Sequence, residues 1–176
     1  MYGLLIEDGK TAEADELAAA WLKDHASDVT AAALLAEIDR TARRYESAAR
    51  RYKLVLAKQS NNVVMLNNLA WVAAQLKDPK ATDYAEQAYK LAPDNAAVLD
   101  TLGWILVERQ EFGRASELLQ RAVRLAPGAA ELRLHLAKAL IGAGRKPDAR
   151  KELEVLAGQA TPAAIQQEAK QLLSTL

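Results

Sequence analysis

Two histidines, three tryptophans and a cluster of basic residues are the side chains of this 176-residue chain with the most chemistry to offer. His25 and His135 are far apart, and neither carries a motif-level serine or carboxylate partner, so neither reads as a general base or as half of a nucleophilic pair. No cysteine is present, which excludes disulfides, thiolate metal sites and a thiol nucleophile. Gly142-Ala143-Gly144-Arg145-Lys146 lacks the full G-x-x-x-x-G-K-[ST] spacing of a phosphate loop and reads as a helix–helix turn. No catalytic residue, metal site or cofactor is assigned, and the chain is expected not to be an enzyme.

Arg40, Arg43, Arg44, Arg50, Arg51 and Lys53 form the densest basic stretch. With 23 basic residues against 23 acidic, net charge is zero, so the stretch reads as a solvated helix face and nucleic acid is not an expected partner. Tyr45 and Tyr52 within it fall on packing positions rather than on a stacking platform. The start of the chain has neither a basic n-region nor a long apolar run, and no stretch reaches the roughly 20 apolar residues of a membrane span. Direct membrane insertion of this segment is not expected.

The elements that must position these residues are helical. Half of the residues (51%) are hydrophobic, mainly Ala and Leu, aromatics are 5%, and no stretch alternates over strand length. A small residue directly follows a Leu at Leu35-Ala36, Leu69-Ala70, Leu102-Gly103 and Leu136-Ala137, with Leu spacings of 34, 33 and 34. A second ladder, Ala14, Ala48, Ala81, Ala115 and Ala149, is spaced by 34, 33, 34 and 34. Small side chains at this period let two helices approach closely while the neighbouring Leu fills the groove. The segment Leu99-Asp100-Thr101-Leu102-Gly103-Trp104-Ile105-Leu106, with Ala115, Leu119, Ala122 and Pro127, follows the tetratricopeptide pattern. The expected fold is therefore all-α: a right-handed superhelical solenoid of antiparallel hairpins.

In this register the chain reads as one domain, 1–176: a half-repeat at 1–28, repeats at 29–62, 63–95, 96–129 and 130–162, and a capping helix at 162–175. The 33-residue unit is short by one residue near Lys77-Asp78-Pro79-Lys80. Pro93, Pro127 and Pro162 mark repeat ends, with Asp94 and Thr161 as expected N-caps. Ile165, Ala169, Leu172, Leu173 and Leu176 form the apolar stripe of the terminal helix. At the other end Leu4, Leu5 and Ile6 sit where a first helix belongs, but that helix is short, as in a segment of a longer array, and stacking against a second copy is an expectation.

Asn67, Trp71, Asp100, Trp104, Glu108, His135 and Lys138 are expected on the concave inner face of the first helices of the repeats. Trp71 and Trp104 occupy equivalent positions and should stand one above the other, two amphipathic rings able to grip a peptide or stack on a sugar. The clamp by which chaperone-binding tetratricopeptide domains hold C-terminal carboxylates is not reproduced: its places hold Asn67, Trp71, Thr101, Glu131 and His135.

Leu66-Asn67-Asn68-Leu69-Ala70-Trp71, Leu91-Ala92-Pro93-Asp94-Asn95 and Asp100-Thr101-Leu102-Gly103-Trp104 resemble the tetratricopeptide-repeat lipoproteins of the bacterial PEP-CTERM protein-sorting and exopolysaccharide system, over about residues 60–160. The resemblance implies a lipid-anchored array of the cell envelope, a protein or peptide ligand and a polysaccharide context. The expected function is a non-catalytic interaction scaffold. The alternatives are a carbohydrate-contacting module and the targeting array of a larger glycosyltransferase.

Overall fold

The computed structural model describes residues 1–25, 28–158 and 161–176, which hold eleven helices and no strand. They fall into two compact units, Met1–Tyr84 and Ala85–Leu176. The first contains α1 (Tyr2–Glu7), α2 (Thr11–Asp24), α3 (Val29–Thr41), α4 (Tyr45–Lys58), α5 (Val63–Gln75) and the first turn of α6 (Ala81–Leu91). The second contains the rest of α6, α7 (Ala96–Glu108), α8 (Phe112–Leu125), α9 (Ala130–Gly142), α10 (Lys146–Gly158) and α11 (Ala163–Thr175).

Each unit is built on the small-residue ladders. Ala14, Ala36, Ala48 and Ala70 in the first unit, and Ala115, Ala137 and Ala149 in the second, are all 0% exposed. Gly103 shows why size matters there: a β-carbon on it would sit 2.6 Å from Leu119 Cγ, so α7 and α8 cross at a separation that only glycine allows. Gly142 is likewise pressed against the ring of Phe112.

The turn inside each hairpin carries one left-handed residue: Gly9, Arg43, Lys77, Gln110 and Gly144, with φ from 55° to 75°. These lie five residues before Ala14, Ala48, Ala115 and Ala149 but four before Ala81, which locates the missing residue between Lys77 and Ala81, as the sequence suggests. The shortened turn is closed by Asp78, whose carboxylate accepts from the Lys80 amide at 2.9 Å.

The caps differ from expectation. α7 is capped by Asn95, whose Oδ1 accepts from the amides of Ala97 and Val98, and not by Asp94. Asp94 instead receives Arg121, whose guanidinium also donates to the Pro93 carbonyl and the Tyr89 hydroxyl. Asp28 and Asn62 cap α3 and α5 in the same way. Thr161 does not cap α11: Pro162 takes that position, and the Thr161 hydroxyl is buried with no hydrogen-bond partner among the described residues. In α11, Ala169 is buried and Ile165, Leu172, Leu173 and Leu176 pack beside it against Leu134, Leu153 and Leu156.

The basic stretch is not uniformly a solvated face. Arg51 is 7% exposed and Asp39 0%. Arg51 pairs with Asp39, Arg44 lies 3.3 Å from the same carboxylate, and both guanidinium groups reach Asp15. The Tyr2 hydroxyl donates to Asp39 at 2.6 Å and accepts from Arg51 at 2.6 Å. Two of the six cations are thus consumed in tying α1 and α2 to α3 and α4, a compensated buried network rather than a surface for polyanions.

Candidate functional site

In the second unit, Asp100, Trp104 and Glu108 follow one another at four-residue intervals along α7, and His135 and Lys138 lie three apart on α9, so each set shares a helix face. The two faces meet. The imidazole of His135 stacks on the indole of Trp104 with centroids 4.4 Å apart and planes inclined by 30°. His135 Nδ1 is 2.7 Å from Asp100 Oδ1, and the Lys138 ammonium lies 5.2 Å from the indole centroid. Lys138 also pairs with Glu168 of α11 at 2.7 Å. Asp100, Trp104, His135 and Lys138 are all half-buried. Glu108 lies at the exposed end of the stripe, beyond these contacts.

His135 therefore does have a carboxylate partner, contrary to the sequence reading, because α7 and α9 bring together residues 35 positions apart. The Asp–His pair fixes the ring, but the ring's face lies on an indole, and no group of three or more potential metal ligands exists among the described residues. What the arrangement offers is a half-buried aromatic stack of indole and imidazole, with an ammonium group over the indole and a carboxylate bonded to the imidazole, able to meet a ligand by contact and hydrogen bonding.

Trp71 and Asn67 belong to the first unit, where Trp71 has its own surroundings. Its ring meets Tyr45 edge-on at 5.6 Å and 80°, and the Arg40 guanidinium lies 5.9 Å from it. Arg40 donates twice to Glu37, which also accepts from Asn68 at 2.7 Å and from the buried hydroxyl of Tyr52. Burial opposes the charge on Glu37, but the hydrogen bonds from Tyr52, Arg40 and Asn68 outweigh it and hold the carboxyl below its ordinary value of 4.5. The same burial and the adjacent carboxylate push the Tyr52 phenol above its ordinary range. Asn67 is half-buried, with its side-chain oxygen enclosed and unpartnered.

Sequence reasoning found Trp71 but not Glu37, Arg40, Tyr45 or Asn68 around it. The period contained the signal: Glu37, Trp71, Trp104 and Lys138 are spaced by 34, 33 and 34 and form one column on the first helices of successive hairpins. Within the second unit the column places Lys138 against Trp104.

Residues 106–176 match the family model described as Tetratricopeptide repeat. Among solved structures, MamA aligns over 100% of this chain and 98% of its own, with a TM-score of 0.74 at 15% identity. YrrB, a tetratricopeptide protein with an unusual peptide-binding site, covers 97% of this chain and 88% of its own, with a TM-score of 0.72 at 18% identity. PilF of Pseudomonas aeruginosa covers 98% of this chain and 84% of its own, with a TM-score of 0.71 at 22% identity. At these identities the likeness is one of fold, and the fold is that of the tetratricopeptide solenoids. A curated relative, the TPR repeat-containing protein PA4667 of Pseudomonas aeruginosa, is 31% identical over 81 residues, which is 43% of this chain and 13% of that protein's length. Among the described residues no helix is long and apolar enough to cross a membrane.

Proposed function

We propose that the chain is a non-catalytic protein-interaction scaffold and that the α7–α9 face around Trp104 is its peptide contact. The observation that carries this reading is the half-buried indole with Asp100, His135 and Lys138 around it. Such a group combines apolar contact area with directed polar atoms. The fold supports it, since tetratricopeptide solenoids serve as interaction scaffolds and the structurally similar YrrB is described as having a peptide-binding site. Trp71 with Asn67 offers a second aromatic contact in the first unit, and Glu108 extends the α7 stripe.

The finer reading places the chain in the bacterial envelope, as part of a lipid-anchored array of the PEP-CTERM and exopolysaccharide system. It rests on the Asn-Asn-Leu-Ala-Trp and Asp-Thr-Leu-Gly-Trp motifs at 67–71 and 100–104. Finding a lipidation motif upstream in the reading frame would support it, whereas finding an appended catalytic domain would support the glycosyltransferase-targeting reading. Stacking of a sugar on Trp104 would make the same face a carbohydrate contact. Calorimetric titration with peptides from envelope proteins and with exopolysaccharide fragments separates the two: heat with peptides alone supports the scaffold, and heat with oligosaccharides alone rejects it.

A further inference from the structure

The second helices of successive hairpins meet along a seam, and the two units close that seam differently. In the second unit polar contacts fasten α6 to α8: Arg114 pairs with Glu86 at 2.5 Å, and Arg121 donates to the Tyr89 hydroxyl at 2.9 Å. Two repeats earlier the positions of Glu86, Tyr89, Arg114 and Arg121 are held by Ala19, Leu22, Ser47 and Leu54. Neither fastening can form between α2 and α4. Ala19, Leu22 and Leu54 instead form the apolar floor of an open trough of about 630 Å³, with Leu54 52% exposed. The trough does not owe its opening to the start of the chain, since no residue before Asp15 lines it. In the second unit the equivalent seam is followed by α9, α10 and α11 and still meets solvent, the Arg114 side chain being 45% exposed. Further hairpins therefore leave this flank uncovered.

The charges beside the trough are of two kinds. Asp15 and Arg51 are spent in the network with Arg44 and Asp39. Arg50, by contrast, reaches only the Ser47 hydroxyl, and Lys53 has no partner among the described residues. The two lie three residues apart on α4 and so share one side of that helix. Their counterparts on α8 are Glu117 and Gln120, so the free cations accompany the seam that lacks its fastenings. We infer that the α2–α4 trough is a docking site for an acidic peptide segment of another protein. An apolar side chain of the peptide enters against Ala19, Leu22 and Leu54, and its carboxylates meet Arg50 and Lys53. Apolar area with cations along one wall fixes the register of such a segment. An anionic membrane is the poorer match, because a chain of zero net charge with two free cations here is drawn only weakly to a charged surface. The contact is separate from the Trp104 face, and its failure leaves the proposed function standing.

The test is fluorescence anisotropy with a labelled helical peptide carrying a leucine stripe flanked by glutamates, titrated with the 176-residue chain and its variants. Arg50→Glu, Lys53→Glu and Leu54→Gln all change exposed side chains, so each should keep the parent's circular dichroism and melting curve. The expected result is binding that weakens with added salt and a dissociation constant that rises about 10-fold in each of the three. Arg124→Glu, the same charge change at an exposed position of α8, and Trp104→Ala should bind like the parent. A peptide with lysines in place of the glutamates should not bind. Absence of binding at about 1 mM overturns the inference, as does an equal loss in Arg124→Glu or Trp104→Ala. Indifference to Leu54→Gln overturns it by leaving bare charge attraction. Tighter binding to phosphatidylglycerol vesicles, lost in the same three variants, overturns it in favour of a lipid surface.

Discussion

Lys138 stands one repeat beyond Trp104, and its ammonium lies 5.2 Å from the centre of that indole while bonding to Glu168 at 2.7 Å. One cation thus joins α9 to the ring of α7 and to the terminal helix α11. Because the pair is partly exposed, each contact is weak, and Lys138→Met is expected to cost about 0.5–1 kcal/mol in urea unfolding. A loss well above 2 kcal/mol would mean that Lys138 has a packing role that these contacts do not describe.

The buried network of the first unit should behave differently. Asp39→Ala removes the carboxylate that compensates Arg51, and a loss of about 3 kcal/mol or more is expected from the uncompensated charge. Replacing Asp39 and Arg51 together by Leu and Met should recover much of that loss. Equal stabilities for the single and double variants would contradict the reading of Arg51 as a buried, paired cation.

Acid sensitivity follows from Glu37. Its carboxyl is held below 4.5 in the folded chain, so the unfolded chain binds the proton more readily. The stability that it contributes is complete above 4.5 and is lost as pH falls through the lower, folded value. Urea midpoints measured at pH 6 and pH 3 should fall less for Glu37→Gln than for the parent. An identical fall would assign acid lability to other carboxylates.

Much of the fold was legible because its constraint recurs: a helix crossing that admits only a small side chain repeats with the unit, and so does the residue. The same logic shows what went unread. Asp39 stands in a column whose members in the later repeats are Ala73, Leu106 and Leu140, all at most 4% exposed, so a carboxylate there requires a buried cation. Tyr2 stands in the column of Ala36, Ala70, Gly103 and Ala137, where its larger side chain reaches Asp39. The His135–Asp100 pair was hidden because it joins adjacent columns of successive repeats, an offset that reading along one column does not reveal.

The cap ladder, Asp28, Asn62 and Asn95 at intervals of 34 and 33, was also in plain view and ends at Ala129, which gives α9 no side-chain cap. Asn95→Ala should cost about 1 kcal/mol and Ala129→Asp should gain a similar amount, both read from chemical denaturation. No change in either would mean that the helix ends are held by tertiary packing alone.

The central claim is that the Trp104 face holds a peptide. Isothermal calorimetry of the parent and of Trp104→Ala against envelope-protein peptides, with melting temperatures recorded alongside, measures it most directly. The account predicts that truncating the indole weakens binding by about 2 kcal/mol, roughly 30-fold, with little change in melting temperature. A variant that binds as tightly as the parent, or that loses binding only because it has unfolded, would make Trp104 a packing residue and contradict the claim.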